Sequence, residues 1–308
     1  MKPQTACWGQ ICQGGSLTSD GHRRPAQAVS NARITMQLRA MSEARFLGID
    51  FSGGASPWRA TCSRPTVWIA TLEAFRLADL RPVQTLEGDG TPFERLVALL
   101  REGRYRAAAI DAPFSLPQEH LPYGGHPQLL RDVAELKIAD DRPFPRGEAI
   151  VAYASNLAPM RSAKIFRQTE QACGALARST LWNGARPGAP FTAACLTLLS
   201  RAQRPIWPWK DAPGMLVEAF PAAQLRAWNL PNTGYGLPEE KPVRAKIVAA
   251  LEERGLLIEP AYCKQMMASP DALDAVIAAF GARAAANRQL KHERPANWRL
   301  EGAIAVHA

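Results

Sequence analysis

The sequence contains no uninterrupted apolar run of the roughly 20 residues that a membrane-spanning helix needs. Its first residues also lack the charged and then apolar pattern of a signal peptide. Six cysteines are spread thinly over 308 residues and form no CxxC pair, which argues against a zinc site and a disulfide framework. No internal repeat is evident. These absences predict a cytoplasmic protein, with no membrane segment, that depends on its own hydrophobic core.

What the sequence does have is an uneven distribution of positive charge. The net charge is +9, and residues 160–210 alone contribute +7, so a basic segment lies within an otherwise nearly balanced chain. Such a segment attracts phosphates, although arginines spread over a solvated surface explain it equally well. On the first interpretation the partner is a nucleic acid, DNA or RNA. The candidate nucleic-acid-binding residues are Arg161, Lys164, Arg167 and Arg178.

Two regions depart in composition from the rest of the chain. Residues 1–44 are rich in Gly, Ser, Gln and Arg without an apolar period, which predicts a disordered leader. Met36 and Met41 lie just before the first convincing strand, so translation starting at either one is an alternative. Residues 45–308 are predicted to form one domain. Within it, the basic and proline-rich segment 114–211 is predicted to be an insertion or cap over the sheet.

The pattern of apolar residues in the domain predicts a mixed α/β sheet. Strands are expected at 46–50, 66–74, 75–80, 106–113 and 215–220, and helices at 92–103, 239–254 and 269–285. The last helix has Ser269 as its N-cap and Pro270 in its first turn. The opening order β-β-β-α-β is typical of the ribonuclease-H-like fold. We therefore predict a ribonuclease-H-like sheet of strand order 3-2-1-4-5, flanked by helices.

Acidic residues end two of the predicted buried strands. Asp50 closes FLGID, and Asp111 closes AAAID in the same manner. A single strand-terminal carboxylate most often caps a turn, but the carboxyl ends of strands are also where α/β sheets bind ligands. Because the first and fourth strands are neighbours in the expected fold, the two carboxylates should come within reach of a shared metal ion.

The helix 269–285 carries the strongest single signal. Its segment DALDAVIAAFGA is apolar apart from Asp271 and Asp274, and so apolar a helix is normally buried. Burying two carboxylates is costly unless cations or hydrogen bonds compensate. Asp271 also has a simpler explanation as a first-turn charge that the helix dipole favours. Asp274 lies deeper in the helix and is harder to explain in that way.

Together these acids predict a divalent-metal site. Glu218 is a further acid in an apolar strand, either linked to the metal or paired with an arginine of the inserted segment. We assign Asp50, Asp111, Asp271, Asp274 and Glu218 as candidate catalytic residues, and Asp50, Asp111 and Asp274 as metal ligands. Oxygen ligands select Mg²⁺ or Mn²⁺. Two such ions roughly 4 Å apart can promote phosphodiester hydrolysis.

With these motifs assembled, residues 45–307 resemble the family called domain of unknown function 429, whose members are predicted RNase-H-like nucleases. The resemblance rests on GIDFSGG (48–54), AIDAPFSLP (109–117), VEAFPAA (217–223), SPDALDAVIAAFGARAA (269–285) and EGAIAV (301–306). FRQTE (166–170) is similar to the family's arginine-plus-acid pattern. Ala303 stands where the family usually has tryptophan. The resemblance implies that Asp50, Asp111 and the late-helix acids are the catalytic set, and this late pair is similar to that of Holliday-junction resolvases.

Weaker signals leave alternatives open. His120 and His126 are either proton shuttles or loop histidines without a role. Trp182, Trp207 and Trp209 either stack bases or pack in the core. Ser52-Gly53-Gly54 either cradles a phosphate or forms a tight turn. The leading function is a metal-dependent nuclease, which is a hydrolase. The alternatives are a non-catalytic nucleic-acid-binding module and an actin-like-fold kinase, although the sequence shows no second glycine-rich phosphate motif.

Overall fold

The computed structural model describes residues 44–138, 142–162, 165–176, 179–185 and 187–308. Residues 1–43 of the predicted leader lie outside these ranges. The residues that the model describes belong to one compact unit. None of its described helices is both long and apolar enough to cross a membrane.

Five strands form one mixed sheet of order β3-β2-β1-β4-β5, as predicted. Their bounds are β1 Arg45–Asp50, β2 Trp68–Glu73, β3 Arg76–Pro82, β4 Ala107–Asp111 and β5 Met215–Glu218. The first three strands pair antiparallel, whereas β4 is parallel to both β1 and β5. Because β1, β4 and β5 are parallel, their carboxyl ends lie at the same edge of the sheet.

The three helices that the sequence predicts are present, further helices lie between them, and local capping explains where two of the helices begin. Thr91 and Glu94 form the capping box of the first helix, with the Thr91 amide donating to Glu94 Oε2 at 2.7 Å. Ser269 Oγ accepts from the Ala272 amide at 3.2 Å and caps the long late helix. The helices are α1 Pro92–Glu102, α2 Gly125–Ala134, α3 Gly147–Leu157, α4 Gln168–Ala172, α5 Ala189–Ala202, α6 Pro221–Ala227, α7 Lys241–Glu253, α8 Pro260–Ala268, α9 Pro270–Asn287 and α10 Trp298–Glu301.

Described helices of the segment 114–211 lie over one face of the sheet. Its helices α2, α3 and α5 pack with α1 on the sheet face that carries Leu47 and Ile49. The opposite face, which carries Phe46, is covered by α9 with α6, α7 and α8 beside it. The sheet is thus enclosed by helices on both faces, and the core has two halves.

Gly48 allows the late helix to lie directly on the sheet. A Cβ atom at this position of β1 would stand 2.1 Å from the Ala275 carbonyl oxygen and 2.3 Å from the Ala279 amide nitrogen. Both obstacles are backbone atoms of α9, so no side-chain rotation could relieve the clash. Gly48 thereby sets the distance between α9 and β1.

The Gly48→Ala protein should be destabilised by about 3 kcal/mol, because α9 must move away from the sheet. Gly54→Ala is the matched control, since an added Cβ there meets nothing nearer than 3.5 Å. We expect that control to change stability by less than about 0.5 kcal/mol. Urea denaturation of the two proteins measures the difference. Equal stabilities would contradict the close contact between α9 and β1.

Candidate metal and active site

Asp50 and Asp111 are the last residues of β1 and β4, and the two are direct partners in the parallel pairing. Neighbouring strands lie about 4.8 Å apart, so the two carboxylates start from adjacent backbone positions. Asp50 is 8% exposed and Asp111 is partly exposed. The prediction that the first and fourth strands are neighbours is confirmed. These acids stand at the carboxyl edge of the sheet.

Helix α9 brings two further acids to the same edge. It packs against β1, β2 and β4, and its first two turns carry Asp271 and Asp274. Together with Asp50 and Asp111 they line a cavity of about 330 Å³. Four aspartates from three distant parts of the chain thus line one cavity.

The surroundings of the helix acids disfavour their ionised forms. Burial raises the pKa of Asp271 to about 6. Burial also raises the pKa of Asp274 well above its ordinary value, and the negative charges of Asp111 and Asp271 raise it further. The carboxyl groups of Asp271 and Asp274 are therefore harder to ionise than free ones, and a cation bound beside them would favour their ionised forms.

Tyr235 is a member of this site that the sequence gave no reason to select. Its hydroxyl donates a hydrogen bond of 2.8 Å to Asp274 Oδ1, and its side chain lines the cavity. Burial raises the pKa of Tyr235, and the charges of Asp274, Asp111 and Asp50 add to the rise. Tyr235 thus remains a protonated donor that orients one oxygen of Asp274.

Arg244 holds the loop that carries Tyr235. This arginine is buried, and its Nη1 donates to the carbonyl oxygens of Tyr235 at 2.5 Å and Leu237 at 2.8 Å. Its Nε donates to the Met267 carbonyl at 3.1 Å, just before α9 begins. The same guanidinium therefore ties the Tyr235 loop to the start of the helix that carries Asp274. Neither residue lies in a recognisable motif, so only the folded structure reveals them.

The donors that face the cavity are oxygen atoms, which suits a hard divalent cation. Within the described ranges, no group of three or more His, Cys, Asp and Glu side chains is arranged to hold a metal ion as it stands. The oxygen donors, together with the raised pKa values of Asp271 and Asp274, fit Mg²⁺ or Mn²⁺.

Comparison with known proteins places the chain in a family. A family model described as Protein of unknown function (DUF429) matches residues 48–296, which is most of the chain. The chain belongs to the DUF429 family. No curated protein and no solved structure matches it. The matched range includes all five candidate catalytic acids and both residues, Tyr235 and Arg244, that the sequence did not single out.

Glu218 of this DUF429 protein is engaged by Arg167. Nη1 of Arg167 donates to Glu218 Oε2 at 2.8 Å, and Nη2 donates to Glu218 Oε1 and, at 3.0 Å, to Glu170 Oε1. Glu218 Oε2 also accepts from the Phe114 amide at 3.1 Å. Glu218 still lines the acidic cavity, but its charge is compensated from within. This is the arginine pairing that the sequence left open for Glu218.

The four candidate nucleic-acid-binding residues differ in where the structure places them. Arg161 is exposed and lines a separate groove, as a surface contact requires. Arg167 is fully buried in its ion pairs, so the structure corrects its assignment: its guanidinium serves the interior and does not face a phosphate backbone. Lys164 and Arg178 lie outside the described residues.

The two histidines of the segment 114–211 are buried rather than on exposed loops. The ring of His120 contacts the Ala154 carbonyl through Nδ1 at 3.1 Å. His126 Nε2 contacts the Phe114 carbonyl at 2.7 Å, and its ring stacks on Trp209 at 3.8 Å between centroids. Burial lowers the pKa of His126 to about 4. A neutral histidine in such surroundings packs the interior, and Trp209 is occupied in packing against it.

Packing explains the glycine at the centre of the Ser52-Gly53-Gly54 segment. A Cβ at Gly53 would stand 2.4 Å from the Phe191 amide nitrogen and 2.4 Å from the Pro190 carbonyl carbon. Gly53 therefore allows the first turn of α5 to approach the end of β1. The segment forms no tight hairpin, because β1 and β2 are separated by residues 51–67.

Proposed function

We propose that this protein is a divalent-metal-dependent nuclease that hydrolyses phosphodiester bonds of a nucleic acid. The observation that carries the proposal is the convergence of Asp50 and Asp111, paired at two parallel strand ends, with Asp271 and Asp274 of α9 in one cavity. Acids that are remote in sequence and line one cavity, where neighbouring negative charges raise the pKa of Asp274, are typical of functional sites.

The order of the sheet supports a ribonuclease-H-like assignment within this proposal. Three antiparallel strands, one helix and a parallel fourth strand beside the first are the opening that the sequence predicted for this fold. The acids stand at the corresponding edge, where the carboxyl ends of β1 and β4 meet. The fold alone does not specify an activity, so the proposal depends on the site.

Asp50, Asp111 and Asp274 would hold the metal ion, Mg²⁺ or Mn²⁺. When bound, such an ion activates water and stabilises charge on the phosphate and the leaving oxygen. The protein's own residues prepare the site. Tyr235 orients Asp274, and Asp271 adds negative charge from the preceding turn. Arg167 holds Glu218 at the cavity wall through two hydrogen bonds.

The first test is the effect of divalent cations on stability, which needs no substrate. We expect Mg²⁺ or Mn²⁺ at about 100 times its dissociation constant to stabilise the protein by about 2.7 kcal/mol at pH 7. Thermal unfolding with increasing metal measures this effect. The Asp50→Asn/Asp274→Asn protein should show no such shift. A wild-type protein that neither metal stabilises would contradict the metal site.

The pH dependence of the metal-free protein supplies an independent prediction. Because the pKa of Asp271 is raised to about 6 in the folded state, that state binds a proton more tightly than the unfolded chain does. The resulting stabilisation is present below about pH 4 and is lost as the pH rises through 6. The lowered pKa of His126 acts in the opposite direction over a similar range.

A double variant distinguishes the contribution of the two carboxylates to the pH dependence of stability from that of His126. Metal-free Asp271→Asn/Asp274→Asn protein should be more stable than wild type by about 1–3 kcal/mol at pH 7, and the difference should shrink towards pH 4. Chemical denaturation across this pH range in the presence of a chelator gives the difference curve. A double variant that is less stable than wild type at pH 7 would show that the two carboxylates are compensated without metal.

The activity test is a substrate screen. Duplex, single-stranded and branched DNA and RNA are incubated with purified protein and either metal, and cleavage is followed on gels. We expect at least one substrate to be cut, and a chelator to stop the reaction. Metal-dependent stabilisation with binding but no cleavage of any substrate would instead support the non-catalytic nucleic-acid-binding module.

A further inference from the structure

A second concave surface of about 460 Å³ lies outside the acidic cavity, and we call it the basic groove. Arg226, Lys291 and His292 line it together with apolar and uncharged residues. None of the described residues that line it is acidic. The larger groove that contains Arg161 differs in this respect, because Glu119 and Glu301 also line it. The basic groove is therefore the better site for a polyanion.

The basic groove and the acidic cavity are adjacent in the structure. The segments 170–175, 221–227 and 304–306 each contribute residues to both. In α6, Ala222 lines the cavity and Ala223 lines the groove, and consecutive residues are only about 3.8 Å apart. The groove is therefore built on the same three segments that border the cavity.

The cations of the groove are positioned but not neutralised. Arg226 Nη1 donates to the Cys173 carbonyl at 2.9 Å, and the guanidinium lies against Gly174, where a Cβ would stand 1.9 Å from Nη1. The Lys291 amide donates to the Val306 carbonyl at 2.8 Å, which anchors its backbone beside the groove. In the described part of the chain, neither Arg226 nor Lys291 forms an ion pair with a carboxylate.

We propose that the basic groove binds the phosphodiester backbone of the nucleic acid strand whose scissile bond lies in the acidic cavity. This inference rests on the proposed function and names the surface along which the substrate runs. It moves the principal phosphate contacts from the segment 160–210 to Arg226 on α6 and to Lys291 and His292 beyond α9. The acids of the cavity repel phosphates, so neighbouring cations are needed to retain the strand.

Binding is tested in the Asp50→Asn background, which removes a negative charge from the cavity and is not expected to cleave. Lys291→Glu should weaken the affinity for a single-stranded oligonucleotide about tenfold at low salt and make the salt dependence shallower. Lys246→Glu, on the exposed side of α7 and outside both the cavity and the groove, is the control with the same change of net charge. Fluorescence anisotropy at several salt concentrations measures both, and thermal unfolding confirms that both variants fold.

The possible results test the groove proposal and the nuclease proposal separately. If the Lys291→Glu and Lys246→Glu proteins have equal affinities, the proposal that the basic groove binds nucleic acid is wrong, even if the wild type cleaves nucleic acid. Binding that Lys291→Glu alone weakens supports the groove, even if the wild type cleaves nothing, in which case the nuclease proposal fails instead. A protein that binds no oligonucleotide at low salt overturns the groove as well.

Discussion

The Asp50→Asn protein is expected to fold normally and to lose metal-dependent cleavage by about a hundredfold to a thousandfold. Asp50 is the most buried of the four aspartates that line the cavity and is paired with Asp111 across two parallel strands. An amide has nearly the same shape as the carboxylate but lacks its charge, so the metal would be held by one anionic ligand fewer. The decrease should therefore appear mainly in the catalytic rate at a fixed metal concentration.

Two further measurements make this result specific. Asp89→Asn, in an exposed loop, is the control and should retain full activity. Nucleic acid binding by the Asp50→Asn protein should persist, since the change removes a repulsive charge from the cavity. If Asp50→Asn cleaved as fast as the Asp89→Asn protein, the strand-end acids would not form the catalytic site, and Asp50 would be a turn-capping residue.

The Arg167→Met protein should be destabilised by about 3–5 kcal/mol, which is a large part of the stability of an ordinary domain. Arg167 and its partners Glu218 and Glu170 are almost completely buried. Burial lowers the pKa of Arg167, but the two carboxylates outweigh this effect, so its pKa is raised. Removing the arginine would leave two interior carboxylates facing each other without a cation.

Rescue distinguishes this explanation from simple loss of packing. Arg167→Met combined with Glu170→Gln and Glu218→Gln leaves no unpaired charge, and we expect it to recover most of the lost stability. Arg81→Met removes the exposed ion pair with Asp79 and should cost less than about 1 kcal/mol. Guanidinium denaturation of the three proteins gives the comparison. If the Arg167→Met protein had normal stability but bound nucleic acid more weakly, Arg167 would contact the substrate and would not serve to compensate interior charges.

Much of the fold could be predicted because its elements are locally specified. Apolar runs bounded by turns predicted all five strands, and the apolar spacing with Ser269 and Pro270 predicted α9 almost to the residue. The β-β-β-α-β order then restricted the sheet to few arrangements, among them the observed 3-2-1-4-5. Since β1 and β4 are neighbours in that arrangement, the pairing of Asp50 with Asp111 followed as well.

The remainder depends on contacts between residues far apart in the chain. Nothing in the sequence near Tyr235 indicates that its hydroxyl reaches Asp274, because the contact spans 39 positions. The charge of Arg167 suggested a surface role, whereas its partner Glu218 is 51 positions away and buried beside it. The composition of a segment gives its number of charged residues, but it does not predict which of these side chains are buried.

The sequence by itself determined the strands, three of the helices and the identity of the acids at the edge of the sheet, because hydrophobic periodicity and capping act between near neighbours. Only the tertiary structure decided which helices of 114–211 pack on the sheet, that Arg167 belongs to the interior and that a basic groove adjoins the acidic cavity. These features arise where separate segments pack together. Burial and proximity, which set the energy of a charge, exist only once the chain has folded.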